Sequence, residues 1–547
     1  MNKAITINPD DDLAVALTDL KKGESIEVNG SNYDLLDDIT TKHKFALKDF
    51  NTGDEMHMYG VIVGTATEPI QKGAAVTLQN LSHKSSSYDP SKKTEFQWTA
   101  PDISKYEGKT FLGYHREDGQ VGTGNYWVVF PLVFCENRNI EAIKKAFVKG
   151  LGLEKPDPYT EMVSSLVSQY KSGSLNPETI TITETTAAPK DQIFENVDGV
   201  RFITHQGGCG GIRQDAETLT QLLAGYINNP NVAGATVLSL GCQNAEVKMF
   251  EDKLKKVNPN MTKPVYILDQ QTAGKESNLV QQAITKTFLG LVEANKIKRE
   301  PAPLSKLCIG LECGGSDGFS GISANPSIGY TSDLVAALGG KAILSEFPEL
   351  CGVEQELINR MDTQEMAEKF VDIMRAYEKS AVDAGSGFDM NPSPGNIKDG
   401  LITDAMKSAG AAKKGGTSPV RDVLDYTEYA NKPGLSLLCT PGNDVESTTG
   451  LAGSGANIIL FTTGLGTPTG NPVVPVLKLS SNSKLAEKMP DIIDIDTGAV
   501  IRGEKSIAEM GEEILDHIIE VASGRTPSKA MELEQFDFIP WKRGVSL

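Results

Sequence analysis

The sequence predicts an α/β chain, with a small β-rich N-terminal unit followed by two regions built on largely parallel sheets in a Rossmann-like layer arrangement. Three observations lead there. Short alternating segments punctuated by glycine fill roughly the first 90 residues, apolar runs alternate with helical patterns from Lys109 onward, and four of those runs lead into a cysteine.

The N-terminal segments ESIEVNG, MHMYGVIVGTA and AAVTLQN, with glycines at 23, 30, 53, 60, 64 and 73, read as the hairpins of a small β-rich domain over residues 1–90. The polar stretch from Ser85 to Lys105 offers little core material, which places a linker over 91–108. In the second region, 109–299, YWVVFPLVFC precedes IEAIKKAFVKG, RFIT precedes DAETLTQLLAGYI, and PVYIL precedes the long run from Ser277 to Lys298. This alternation is that of strand and crossover helix. The third region, 300–547, carries KLCIGLE, AILSEF, LSLLC, NIILFT and VPVLKLS, and closes on an amphipathic helix over 506–522.

Cys135 closes WVVFPLVFC, Cys209 follows RFITHQGG, Cys242 closes ATVLSLGC and Cys313 closes KLCIGLEC. In parallel sheets ligands bind outside the carboxyl ends of the strands, so four thiols are expected to gather at one edge. The competing reading is that cysteine is a common small buried hydrophobe. Cys308, five residues before Cys313, falls inside the same strand and is expected in the core.

At 547 residues the chain exceeds what one core supports. A formal charge of −19 argues against nucleic acid and anionic membrane as partners, because both need a basic surface. The start, MNKAITINPDDD, lacks a signal-peptide core, and no apolar stretch approaches the roughly 20 residues of a membrane span, so a cytoplasmic location is expected. Seven thinly spread cysteines suggest thiols or metal ligands rather than a disulfide framework. Composition leaves homo-oligomerisation open.

Candidate chemistry follows from placement. His205 lies past a strand end, four residues before Cys209, and imidazole serves as acid, base or ligand near neutral pH. His43 acts only if the β domain closes over the sheet edge. The loop after Cys313 (Gly314, Gly315, Ser316, Asp317) is an anion nest for a carboxylate. Glu312, Asp317, Glu346 and Glu349 are carboxylates near strand ends, while Lys398 and Lys407 flank a Gly-rich loop and are candidates to pair with a substrate carboxylate. The segment from Gly464 to Gly470 lacks the spacing and the helix of a dinucleotide fingerprint. Thiolates favour iron, whereas oxygen ligands favour manganese. The expected cofactor is therefore Fe2+ or an iron–sulfur cluster, with Mn2+ as the alternative where histidine and oxygen ligands hold the metal and the thiols only pack.

Several longer motifs carry a resemblance: HKFAL (43–47), ECGGSDGFSGISANP (312–326), NPSPGN (391–396), TPGNDVESTT (440–449) and TGLGTPTGNP (463–472). Together they resemble the altronate/galactarate dehydratase family over essentially the whole chain. The chain has Thr77, Leu78, Gln79 and Asn80 where that pattern has His-x-His-Asn, Gly124 for an Arg, Gln243 for a Glu, and Ala405 with Met406 for a Glu pair. The resemblance implies an N-terminal SAF domain, an iron- or manganese-dependent lyase and a sugar-acid substrate. The implied reaction takes D-altronate to 2-dehydro-3-deoxy-D-gluconate in galacturonate catabolism. Galactarate dehydration, a sulfolactate-type lyase and a non-catalytic sugar-acid binder are the alternatives. The expected site has His205, His43 and Lys407 as catalytic groups. Gly314, Gly315, Ser316, Asp317, Asn396 and Lys398 are expected at the substrate, and Cys135, Cys209, Cys242, Cys313 and Glu312 at the metal.

Overall fold

The computed structural model describes residues 2–153, 157–179, 181 and 193–547. In the N-terminal domain, Ala4–Ile5, Leu13–Ala16, Lys44–Ala46 and Ala75–Val76 form an antiparallel sheet in that order. The hairpin Ser25–Val28/Ser31–Asp34 alternates exposed and buried positions along its first strand, and turns on Asn29-Gly30 with φ of 50° and 76°. That is the left-handed pair a two-residue hairpin demands.

The predicted linker is strapped along the C-terminal domain. The backbone N–H groups of Asp89 and Thr94 donate to the side chains of Gln355 and Asn359, Lys105 pairs with Glu512 and Asp516, and the buried Tyr106 donates to the Glu512 carbonyl. Beyond it, Thr110–His115 pairs antiparallel with Arg299–Pro303, so entry to and exit from the second domain are clamped side by side.

The second domain holds four parallel strands in the order Gly199–Phe202, Tyr126–Pro131, Val232–Ser239, Val265–Asp269. The C-terminal domain holds seven, all parallel, in the order Val420–Leu424, Gly434–Leu438, Lys341–Leu344, Cys308–Cys313, Ile458–Thr463, Val476–Ser480, Ile495–Asp496. Most of these strands are buried at every position, as their unbroken apolar runs require of a sheet covered on both faces. The helix Ile507–Ala522 begins with a capping box, Ser506 and Glu509 exchanging side-chain and backbone bonds.

Each sheet has a place where consecutive strands go to opposite sides of an earlier one. In the second domain that strand is Tyr126–Pro131, and in the C-terminal domain it is Cys308–Cys313. Such switch points open a crevice at the carboxyl ends. The two domains share packing as well. Helix Arg213–Asn228 lies on helix Asp444–Gly453 so closely that a Cβ on Gly225 would sit 2.0 Å from the Gly453 carbonyl oxygen.

Candidate active site

Because three neighbouring strands run parallel, the residues at their carboxyl ends meet at one edge. Glu312 and Cys313 end their strand, Glu346 and Glu349 follow Lys341–Leu344, Thr440 follows Gly434–Leu438, and Ser447 comes from the helix Asp444–Gly453. Helix Asp404–Ala411 and the turn Ala412–Gly415 bring Lys407 and Lys414 across them.

The contacts are dense and dry. Lys414 Nζ lies 2.7 Å from Cys313 Sγ and 2.7 Å from Glu346 Oε2, and Lys407 Nζ lies 2.6 Å from Glu349 Oε1. The Cys313 thiol donates to Glu349 Oε2 at 3.0 Å, while its backbone N–H donates to Glu346 Oε2 at 3.1 Å. Glu312 Oε2 accepts from Ser345 Oγ at 2.7 Å and from Ser447 Oγ. Glu346 sits in the left-handed region at φ 68°, a backbone conformation costly for a side chain other than glycine and sustained by its surroundings. Among the described residues, Glu312 Oε1, Glu346 Oε1 and Asn391 Nδ2 are buried without a hydrogen-bond partner.

Burial and then the neighbouring Glu346 push the Glu312 carboxyl well up, and burial and then Glu349 raise Glu346 against the opposing pull of Lys414. Burial also pushes Glu349 up, but the Lys407 and Lys414 ammonium groups outweigh it and hold that carboxyl down at about 2. The Cys313 thiol is driven well up by burial and by Glu346 and Glu349. Asp444, whose carboxylate packs against Gly314, is pushed up to about 7 by burial and then by Glu346. Next to this cluster, Asn391 accepts from Lys407 Nζ at 3.2 Å and lines a cavity of about 310 Å³ together with Pro348, Tyr377, Met390, Gly442 and Asn443. A cleft of about 580 Å³ along Glu513, Asp516 and Glu520 is lined by exposed surface charges and has no comparable buried centre.

The other expected residues fall into distinct places. Asp317 caps its own turn, accepting from the N–H groups of Phe319 and Ser320, and its Oδ2 binds Lys42 at 2.8 Å. Asn396 completes the capping box of helix Pro394–Lys398, its Oδ1 accepting from the N–H of the cap residue Ser393, and its Nδ2 donates to the Ser316 carbonyl. His43 Nε2 meets the Lys398 carbonyl at 3.0 Å and Lys44 Nζ donates to the Gly400 carbonyl at 2.5 Å, so Lys42, His43 and Lys44 dock the N-terminal domain on this edge. The Lys398 side chain is exposed. Gly315 takes φ 61°, which a side chain would strain.

The four strand-end thiols do not share one site. Cys313 is buried, and its donor group within 4.8 Å contains Glu346 and Glu349 and no other cysteine among the described residues. Cys135, Cys209 and Cys242 are exposed, past the three adjacent strands of the second domain. Their loops are stitched together, Phe134 N–H donating to the Gly207 carbonyl and Ala245 N–H to the Gly208 carbonyl. Glu312 stays with Cys313 and is held by hydroxyl groups. His205 spends both ring nitrogens locally, Nε2 on the Pro131 carbonyl at 2.7 Å and Nδ1 on the Gly207 N–H at 3.1 Å, and burial pushes it down to about 4. It shapes the Cys209 loop as a neutral ring. Lys414 was not legible beforehand, since AKKGG reads as a surface turn; only the topology carries it under the sheet edge.

Profiles of three domains match the chain. The altronate/galactarate dehydratase SAF domain matches residues 2–84, the second domain of D-galactarate dehydratase/altronate hydrolase matches 113–295, and the C-terminal domain of D-galactarate/altronate dehydratase matches 304–546. The chain belongs to the altronate/galactarate dehydratase family of lyases. Within that family it is 34% identical to altronate dehydratase of Bacillus subtilis, over 96% of each chain. It is 34% identical to altronate dehydratase of Escherichia coli over 95% of each. Galactarate dehydratase (L-threo-forming) of Escherichia coli is 29% identical, over 95% of this chain and 93% of its own. No helix among the described residues is long and apolar enough to cross a membrane.

Proposed function

We propose that the chain is a hydro-lyase that dehydrates D-altronate to 2-dehydro-3-deoxy-D-gluconate. The observation that carries this is the near full-length similarity, at higher identity, to two altronate dehydratases rather than to the galactarate enzyme.

Dehydration of a 2,3-dihydroxy acid needs a cationic seat for the carboxylate, a base for the C2 proton and an acid for the departing hydroxide. Lys407 and the unpartnered Asn391 Nδ2 at the cavity rim supply the seat. Asp444 is the group poised near neutrality to accept a proton. Glu346, whose carboxyl burial raises toward the proton-holding form and whose Oε1 is unpartnered, supplies the acid. Glu349 stays ionised and keeps Lys407 charged and oriented, which makes it a positioning residue.

Two donor sets bear on the iron, or manganese, that the family resemblance implies. Around Cys313, Glu346 and Glu349 the same atoms already carry Lys414 and Lys407, so that set does not fit a further cation. The exposed thiols of Cys135, Cys209 and Cys242 sit on interlocked loops and are soft donors that suit iron better than manganese, with the three sulfurs not gathered within 4.8 Å of one another in this structure. Bound there, iron would supply Lewis-acid stabilisation of carboxylate and hydroxyl oxygens. The C-terminal segment connects the two edges: Trp541 packs on the cavity's Tyr377 with ring centroids 5.1 Å apart, and Leu547 N–H donates to the Gly210 carbonyl beside Cys209. Six residues of chain span at most about 20 Å.

The test is 2-keto-acid formation from a panel of sugar acids by protein reconstituted anaerobically with ferrous iron, with sulfite release from sulfolactate read in parallel. D-altronate is expected to give the highest kcat/KM. A higher value for galactarate, or sulfite release without dehydration, overturns the assignment.

A further inference from the structure

We propose that His83, Cys351 and Asp404 form a separate cation site for a borderline divalent metal, zinc or ferrous iron. The site goes beyond the dehydration reading and does not depend on it. Its residues come from three segments: His83 follows the last N-terminal strand, Leu81–Ser82; Cys351 follows the turn Phe347–Leu350; and Asp404 opens the helix Asp404–Ala411. One donor atom from each lies within 4.8 Å of the other two. A tetrahedral centre with metal–ligand bonds of about 2.0–2.3 Å sets its donors about 3.5 Å apart, so closure takes roughly 1 Å of side-chain movement.

The ligand chemistry is mixed imidazole, thiol and carboxylate, the set that borderline metals take in preference to calcium or magnesium. A second observation points the same way. Asp404 is 0% exposed and its Oδ2 has no hydrogen-bond partner among the described residues. A carboxyl oxygen buried bare is costly unless a cation or donor takes it. Outside the trio the other two residues make only long contacts, the Cys351 thiol also bonding to Asp404 within it. His83 Nδ1 has the Ala405 N–H at 3.5 Å, and the Cys351 thiol reaches Ser85 Oγ at 3.7 Å. His83 and Cys351 are half-buried, so a fourth position opens toward solvent, as in metal sites that keep a water. The site is adjacent in sequence to the charge cluster: Cys351 is two residues from Glu349, and Asp404 is three from Lys407. An ion there ties the end of the N-terminal domain to the two segments that carry those groups.

The experiment uses the full chain in a background where Cys135, Cys209 and Cys242 are changed to Ser, stripped of metal and titrated with Co2+ and then Zn2+. One equivalent of Co2+ with a thiolate-to-cobalt absorption band is expected, displaced by Zn2+. Cys351→Ser should remove the band, and Asp404→Asn and His83→Gln should each weaken binding about tenfold or more. Asp404→Asn keeps the size of the buried side chain and so guards against loss of binding through misfolding. Absence of binding in the parent, or a band and affinity unchanged in the three variants, overturns the proposal.

Discussion

In the second domain the switch-point strand Tyr126–Pro131 leads to Cys135, and its two neighbours lead to Cys209 and Cys242. In the C-terminal domain the switch-point strand ends in Glu312 and Cys313, and its neighbour Lys341–Leu344 leads to Glu346 and Glu349. The topology is alike, but the chemistry differs. On the first edge the thiols face solvent; on the second, every ionisable group is buried among others and the thiol is driven to stay protonated. Position at a strand end brings a residue to the crevice, whereas burial and neighbouring charge decide what it does there. A solvent-facing thiol is available as a thiolate ligand. One packed between an ammonium group and two carboxylates is already spent.

The largest effect separating the two edges should come from Lys414→Met. Removing one member of a buried ionic group leaves Glu346 uncompensated and should cost about 3–5 kcal/mol. Denaturant unfolding would check it; a loss under 1 kcal/mol would place this cluster on a par with the exposed edge. Lys407→Met should lower kcat by about 10²–10³-fold, the scale of removing one charge-stabilising donor, and steady-state kinetics on D-altronate would read it. Unchanged kcat would remove the buried cluster from the reaction.

Cys308→Ser, in the core at the start of the switch strand, should cost about 1–3 kcal/mol and leave turnover unchanged. A thermal melt with parallel assay tests both halves.

Asp444 sharpens the comparison through pH. Its folded pKa of about 7 lies above the model-compound 3.8, so between those values the native state holds a proton that the unfolded chain has lost. This group's contribution to stability therefore falls as pH rises from about 4 to 7, and Asp444→Asn should flatten that fall in the melting temperature. An identical pH slope in the variant would mean that the group titrates normally. The smallest stability effects should be those of Cys135→Ser and Cys242→Ser in metal-free protein, within about 0.5 kcal/mol, as for other exposed positions.

Much of this was readable from residues. The apolar runs gave the parallel strands apart from Val420–Leu424 and Ile495–Asp496 at the two ends of the C-terminal sheet, because a buried strand is apolar along its length, and they placed Glu312, Glu346 and Glu349 near strand ends. The partition of the cysteines was not readable. It depends on the thiols of the second-domain sheet not converging with Cys313, and on Lys414 arriving from a turn that looks superficial. His205 was misleading for a similar reason: its nearness to Cys209 is real in sequence, but the carbonyl of Pro131 and the N–H of Gly207 that occupy its ring meet it only through the fold. His43 was legible as part of HKFAL, and the structure docks it on the Lys398 carbonyl, with the N-terminal domain against the sheet edge.

The division of labour between the two edges is tested most directly by iron content, measured after anaerobic reconstitution of the wild type, Cys209→Ser and Cys313→Ser, alongside turnover of D-altronate. The account predicts that Cys209→Ser loses both iron and turnover, while Cys313→Ser keeps stoichiometric iron. Iron lost from Cys313→Ser and retained by Cys209→Ser would contradict it and put the metal at the buried edge.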